Sequence, residues 1–436
     1  MKYANDPFWI AMRRILFVLF WLLWVGMLAG AVAIIIMTPP CAAPKEPEWY
    51  ESSPMYELRV DEFSDGDGDG KSNLKGINEK LPYLDDISVS ALVLDGLFIP
   101  GDEKSIEPAR GTLADFEALA GQIKVLLKIP LSKIALNQVD FNEVLRFWLG
   151  KGAAGFVFDE IELLNNADEL PAMTATWGET IRNFSTEEFP RVSILSSYDA
   201  LAEEDFCKNA HMILDYKLTE LTKDFTPKEL LDALDHTVGN RTVSCRANLV
   251  LSNGDIQPLL NRVGPAERDR LVMFALLADA TPFFYFGEEY ANDDNTLPAK
   301  LTRNHGKRPK PMNWKGIEDW KKSPDNSFFR VFTRTAKLRK TEYAIRMGDT
   351  ELKNVVANVV AMSRVKNGNP GFVVVTNFGD LTETVDLSHF HHLPETGHVY
   401  IMSTNSEKAA NEKVYLNALD VSPHETIVVQ FAPIFN

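Results

Sequence analysis

Asp65, Asp67 and Asp69 alternate with glycines in the run from Asp65 to Gly70. Carboxylates at that spacing suit a hard, oxygen-seeking cation such as Ca²⁺. The run opens like an EF-hand loop, with Gly70 at the sharp turn. Its twelfth position is Gly76, however, where that loop needs a bidentate glutamate. A true EF-hand is excluded, which leaves a different calcium loop or a solvated acidic turn. Three cysteines, Cys41, Cys207 and Cys245, are too few for a disulfide scaffold, and no CxxC pair suggests zinc. Cys207 and Cys245 could pair in an oxidising compartment or stand as two buried thiols. Neither HxxxH nor HExxH occurs among the eight histidines. Asn183-Phe184-Ser185 and Asn240-Arg241-Thr242 are N-glycosylation sequons, each of a kind that also arises by chance.

The elements that carry these groups begin with an anchor. Ile15 to Met37 is a run of 23 residues without a charge. As a helix it spans about 34 Å, enough for a hydrocarbon core of about 30 Å. A secretory signal peptide would have a shorter apolar region and a small-residue cleavage site, whereas this run ends in Thr38-Pro39-Pro40. Lys2, Arg13 and Arg14 against Asp6 give the first fourteen residues +2, so the chain's −16 leaves −18 for the rest. Positive-inside then predicts a cytosolic N-terminus and an external C-terminal portion, with both sequons outside. This is the pattern of a single-pass type II membrane protein. Gly26 and Gly30 form a small-xxx-small pair that permits close approach of lipid-embedded helices. The acidic balance excludes an electrostatic nucleic-acid binder.

Past a Pro-rich neck, strand-like runs alternate with helix-like ones: MYELRV, SALVLDGLFI, KVLLKIP, GFVFDE, RVSILSSY, HMILDYKL, RANLVLS and TPFFYFG. Eight such strands predict a parallel (β/α)₈ TIM barrel. After Met347 the runs become short strands separated by turn residues, an antiparallel all-β module. The expected organisation is a cytoplasmic tail (1–14), a transmembrane helix (15–37) and a neck with Cys41 (38–54). The barrel (55–347) and a β-sandwich (348–436) follow.

The Asp65–Gly76 segment after the first strand, TPFFYFGEEY at Thr281–Tyr290 and GFVFDE at Gly155–Glu160 resemble the α-amylase superfamily of glycoside hydrolases. Retaining hydrolysis needs a carboxylate nucleophile and a carboxylic general acid. The resemblance puts Asp159 at the nucleophile position, yet Val157 replaces the arginine that orients it. Ser197 stands where the general-acid glutamate belongs, and a hydroxyl is no substitute for a tuned carboxylic acid. Asp255 follows Asn253-Gly254 where the family has Asn-His-Asp, and Lys128 lies in a third strand that lacks the expected histidine. The lid-like domain usually inserted after that strand is missing too. The match extends the calcium ligands to Asp65, Asp67, Asp69, the Lys71 carbonyl and Asn73.

A degraded amylase-like ectodomain on a type II anchor is similar to the glycoprotein heavy chains of the heteromeric amino-acid transporters. The missing insertion fits the surface-antigen type. That resemblance implies a non-catalytic subunit at the plasma membrane, surrounded by lipid and disulfide-linked through Cys41 to a multi-span light chain. The alternatives are a membrane-anchored α-glucosidase and an adhesion or receptor module without a transporter partner.

Overall fold

The computed structural model describes residues 6–38, 46–134, 140–164, 169–199, 201, 203–235, 245–291, 300, 310–320, 322 and 327–435. The chain divides into two compact units, Met1–Glu46 and Pro47–Asn436. The first is a single helix, Pro7–Met37. It starts at Pro7 rather than Ile15 because Asp6 caps it: Phe8 N donates to Asp6 Oδ1 at 2.9 Å, and Pro7 pre-sets the helical φ. Its 31 residues reach about 46 Å, longer than a hydrocarbon core. Among the described residues it is the one helix long and apolar enough to cross a membrane. None of its side chains is buried. Gly26 and Gly30, four apart, lie on one face, and among the described residues nothing beyond the helix's own backbone and adjacent residues comes within 4 Å of the place a Cβ would take on either.

The second unit begins earlier than sequence suggested. Residues 47–54, counted with the neck, belong to it: the short helix Trp49–Ser52 packs on the barrel floor, where Trp49 Nε1 donates to Pro190 O at 2.9 Å. The buried Arg339 guanidinium fastens the same segment. It donates to Ser52 O at 3.0 Å and Glu51 O at 3.2 Å, and also to Leu276 O and Ala278 O.

Eight barrel strands follow: β1 (Met55–Arg59), β2 (Ala91–Asp95), β3 (Lys124–Pro130), β4 (Gly155–Asp159), β5 (Val192–Leu195), β6 (Met212–Ile213), β7 (Asn248–Val250) and β8 (Thr281–Tyr285). All pair in parallel, in the order β6-β5-β4-β3-β2-β1-β8-β7. No ladder joins β6 to β7, but hydrogen bonds close the ring. Arg246 N donates to His211 O (2.8 Å) and Val250 N to Asp215 O (3.1 Å). The Asn248 carboxamide replaces missing rungs, accepting from Asp215 N (2.9 Å) and donating to Ile213 O (2.7 Å). This substitution explains why HMILDYKL keeps only two residues of strand. In SALVLDGLFI the strand stops at Asp95, since Gly96 turns the chain at φ +73° and Phe98–Ile99 pairs instead with Asp102–Ile106 as a hairpin.

Alternation along each strand builds two apolar layers. Met55, Val93, Leu126, Val157, Ile194 and Phe283 share an interior cluster. Tyr56, Leu58, Leu92, Leu127, Phe156 and Phe158 lie outside, under the helices. Only ten residues separate β3 from the next helix, Phe141–Gly150, so the lid-like domain is indeed missing there.

The C-terminal strands are β9 (Asp349–Val356), β10 (Val359–Val365), β11 (Gly371–Asn377), β12 (Glu383–Val385), β13 (Thr396–Met402), β14 (Lys413–Tyr415), β15 (Leu419–Val421) and β16 (Thr426–Phe431). They form a six-stranded antiparallel sheet, β9-β10-β11-β16-β13-β14, and a β12-β15 pair. The two enclose a core that includes Val359, Val373, Val429, Val385 and Val421. Barrel and β module make one compact unit. On the helix Pro265–Leu277, Arg270 donates to Thr376 Oγ1 (2.7 Å) and Asn377 O (3.0 Å), and Asp269 accepts from Thr404 N (2.8 Å).

Candidate functional site

The inward phase of β1, β3 and β4 carries on past the apolar layer and delivers Glu57, Lys128 and Asp159 to the barrel mouth. Lys128 Nζ sits 2.8 Å from Glu57 Oε1 and 3.2 Å from Asp159 Oδ2. The other Asp159 oxygen accepts from Ser196 Oγ at 2.5 Å, and Ser196 Oγ lies 2.8 Å from the Tyr216 hydroxyl. Burial opposes the Lys128 charge, but Asp159 and then Glu57 outweigh it and hold the ammonium well above its ordinary pKa. Burial pushes Glu57 up despite Lys128, and burial with Asp159 nearby pushes the Tyr216 phenol up. Val157, which stands for the orienting arginine, is an interior apolar side chain one layer below. Immediately after Asp159, Glu160 adopts left-handed backbone (φ 61°, ψ 33°), a conformation that a buried glutamate holds at some cost.

Ser197 does not reach Asp159. It lies two residues past the end of β5, out of phase with Ile194 and Ser196, and its hydroxyl donates to Asp199 O at 2.8 Å. The group that sequence analysis missed is Ser196, one residue earlier. Tyr216 and Tyr198 were missed as well. Tyr198 Oη donates to Asp255 Oδ2 at 2.7 Å and accepts from Asn253 Nδ2 at 2.8 Å. Its ring meets that of Tyr216 edge-on, with centroids 4.9 Å apart. A continuous set of contacts therefore runs from Asp159 through Ser196, Tyr216 and Tyr198 to Asp255. Both family acids accept hydrogen bonds from side chains of this chain, and Asp159 is 4% exposed. Lys128 and Ser196 thus each hold one of the two Asp159 oxygens.

A cavity of about 230 Å³ opens beside Lys128. Paired charges rim it: Arg59 binds Asp61 (3.1 Å) and Asp95 (3.3 Å), and Arg110 binds Asp61 (3.1 Å). Glu288 and Glu289 are structural. Glu289 accepts from the Tyr56 and Tyr83 hydroxyls at 2.8 and 2.5 Å, and Glu288, pushed up to about 7 chiefly by burial, accepts from Leu259 N.

In the acidic loop, the carboxylates of Asp65, Asp67 and Asp69 bring one oxygen each within 4.8 Å of the others, all exposed. Asp65 accepts from Gly70 N (2.8 Å) and Gly68 N (2.7 Å), which lower its pKa. Asn73 is turned to another task. Its Oδ1 accepts from Gly76 N at 2.9 Å and caps the helix Leu74–Glu79, and its Nδ2 donates to Lys71 O at 3.4 Å. Three of the five expected ligands thus converge.

Cys207 and Cys245 form a disulfide, Cα atoms 4.9 Å apart, which decides between the two readings of that pair. Asn183 is exposed at the end of the helix Leu170–Asn183. Cys41 and Asn240 lie outside the described residues.

Removing the shared cation should be costly in a pH-dependent way. Lys128→Met leaves Glu57 and Asp159 buried without a counter-ion, at about 3–5 kcal/mol near neutral pH. Glu57, already pushed up by burial, then titrates higher still, so this penalty is relieved below the unfolded pKa and grows as pH rises through the folded one. Urea unfolding should show a deficit at about pH 8 that shrinks at about pH 5. An equal deficit at both would contradict the network described.

The sequence family described as "Solute carrier family 3 member 2 N-terminus" matches residues 1–56. The amino acid transporter heavy chain SLC3A2 of Oryctolagus cuniculus is 26% identical over 99% of this chain and 86% of that protein. Maltase 1 of Drosophila virilis is 22% identical over 88% of this chain and 87% of its own. Among solved structures, the trehalose-6-phosphate hydrolase of Bacillus licheniformis superposes with a TM-score of 0.70 at 14% identity, over 88% of this chain and all of that one, a likeness of fold. Across anchor, barrel and β module, the chain is similar to the heavy chains of amino-acid transporters and has the fold of the α-amylase-type glycoside hydrolases.

Proposed function

We propose that this protein is the non-catalytic heavy chain of a heterodimeric amino-acid transporter. The observation that carries the reading is the fate of Asp159: the carboxylate at the nucleophile position is held by Lys128 and Ser196, on a chain that resembles transporter heavy chains through its anchor. The barrel keeps the α-amylase fold and uses its strand ends for stability. In this reading Asp159, Ser197 and Asp255 are relics. The apolar helix is a signal anchor, the remainder is extracellular at the plasma membrane, and Asn183 and Asn240 carry glycans. A multi-span light chain is the partner, and the heavy chain supports its stability and delivery to the cell surface. Gly26 and Gly30 offer a face for a partner helix in lipid, where packing rather than hydrophobicity drives association. Cys41 bonds the light chain outside the membrane, in an oxidising compartment.

The acidic loop is assigned a structural Ca²⁺. Asp65, Asp67 and Asp69 would hold it with the Lys71 carbonyl, all hard oxygen donors suited to that ion. Asn73 would contribute least, being committed to its helix cap.

Two measurements test these assignments. In native membranes the protein should migrate as a heterodimer without reductant and separate with it. Cys41→Ser should remove the covalent band, while some non-covalent complex still reaches the surface. A high-mass band unchanged in Cys41→Ser, or absent from the wild type, would count against the transporter reading. For the loop, Ca²⁺ at a hundredfold excess over Kd should stabilise the fold by about 2.7 kcal/mol. Chelation should lower Tm, and Asp67→Ala should abolish that response; identical melts with Ca²⁺ and with chelator would identify a plain acidic turn.

A further inference from the structure

The barrel mouth is crowded with charges, whereas one opening in the β module has none. A cavity of about 740 Å³ lies where the β10–β11 turn, the start of β13, the end of β16 and the C-terminal residues meet. No Lys, Arg, Asp or Glu lines it, in a chain where such residues make up 24%. Asn367, Thr396, His398 and Gln430 line it, and among the described residues their side chains form no hydrogen bond with the protein. His398 and Gln430 sit side by side, paired across β13 and β16. The wall that carries the exposed Phe435 ring is fixed. Ile434 N donates to His392 O at 3.0 Å, and the Phe435 ring stacks on the His392 imidazole at 4.2 Å and 31°.

That combination restricts the ligand. A charged molecule would lose hydration with no counter-ion to replace it, and a purely apolar one would strand two carboxamides, a hydroxyl and an imidazole without partners. The fitting chemistry is neutral, rich in hydroxyls that both donate and accept, and apolar on one face. A hexose has those properties: its hydroxyls meet carboxamides and imidazole, and its C–H face lies against an aromatic ring. The cavity volume is that of an ordinary small-ligand site. We infer that this cavity binds neutral carbohydrate, with Gln430, His398, Asn367 and Thr396 reading the hydroxyls and Phe435 serving as the stacking platform. The site is separate from the barrel mouth, so the inference is independent of the heavy-chain reading.

The test is saturation-transfer NMR on the full chain in nanodiscs, with maltose, lactose and chitobiose as probes and a heparin disaccharide as the charged control. At least one neutral disaccharide should bind with a Kd of about 1–10 mM, and the charged one should not. Gln430→Ala and Phe435→Ala should each weaken binding about tenfold or more with Tm unchanged, while Lys133→Ala at the barrel mouth leaves it intact. If none of the three neutral probes binds at about 20 mM, or if binding survives both variants, the inference fails.

Discussion

Two carboxylates pointed at the same closed space need a cation. In this barrel the inward phase of β1 and β4 carries Glu57 and Asp159 to the mouth, and Lys128 on the strand between β2 and β4 supplies the charge. Burying either acid alone would cost several kcal/mol, so the three stand or fall together. The same mouth would have to stay open and partly unpaired to seat a substrate. A single lysine in the inward layer therefore serves the stability of both acids.

The rest of the mouth follows. With Asp159 committed, the neighbouring polar groups satisfy one another: Ser196 to Asp159, Tyr216 beside Ser196, Tyr198 to Asp255. Arg59 and Arg110 share Asp61 at the rim. Below, the apolar interior layer seals the barrel, and the Arg339 guanidinium ties the entering chain to the floor. The Asp269–Arg270 pair joins the β module to the same body.

Much of this was legible in sequence where a local pattern suffices. The uncharged run to Met37, the alternation of apolar strands and GFVFDE marked the anchor, the barrel and Asp159. Partnerships between distant strands were not legible. Lys128 read only as a missing histidine, because Glu57 and Asp159 come from elsewhere in the chain. Ser196 as the partner of Asp159 was not legible either, because strand phase depends on the register with β4, which sequence does not display. HMILDYKL looked like a full strand, since nothing local reveals that the Asn248 side chain replaces its rungs. The helix-capping bond of Asn73 to Gly76 was not legible, because it becomes visible only when the turn is formed.

The central claim is that the barrel mouth holds structure in place of catalysis. Hydrolysis of maltose and of 4-nitrophenyl α-glucoside by the purified full chain tests this directly. In the proposed reading β5 supplies no general acid, which withholds a factor of about 10²–10⁴ from leaving-group protonation. The account predicts turnover indistinguishable from buffer and no change in Asp159→Asn. Turnover above buffer that disappears in Asp159→Asn would contradict it.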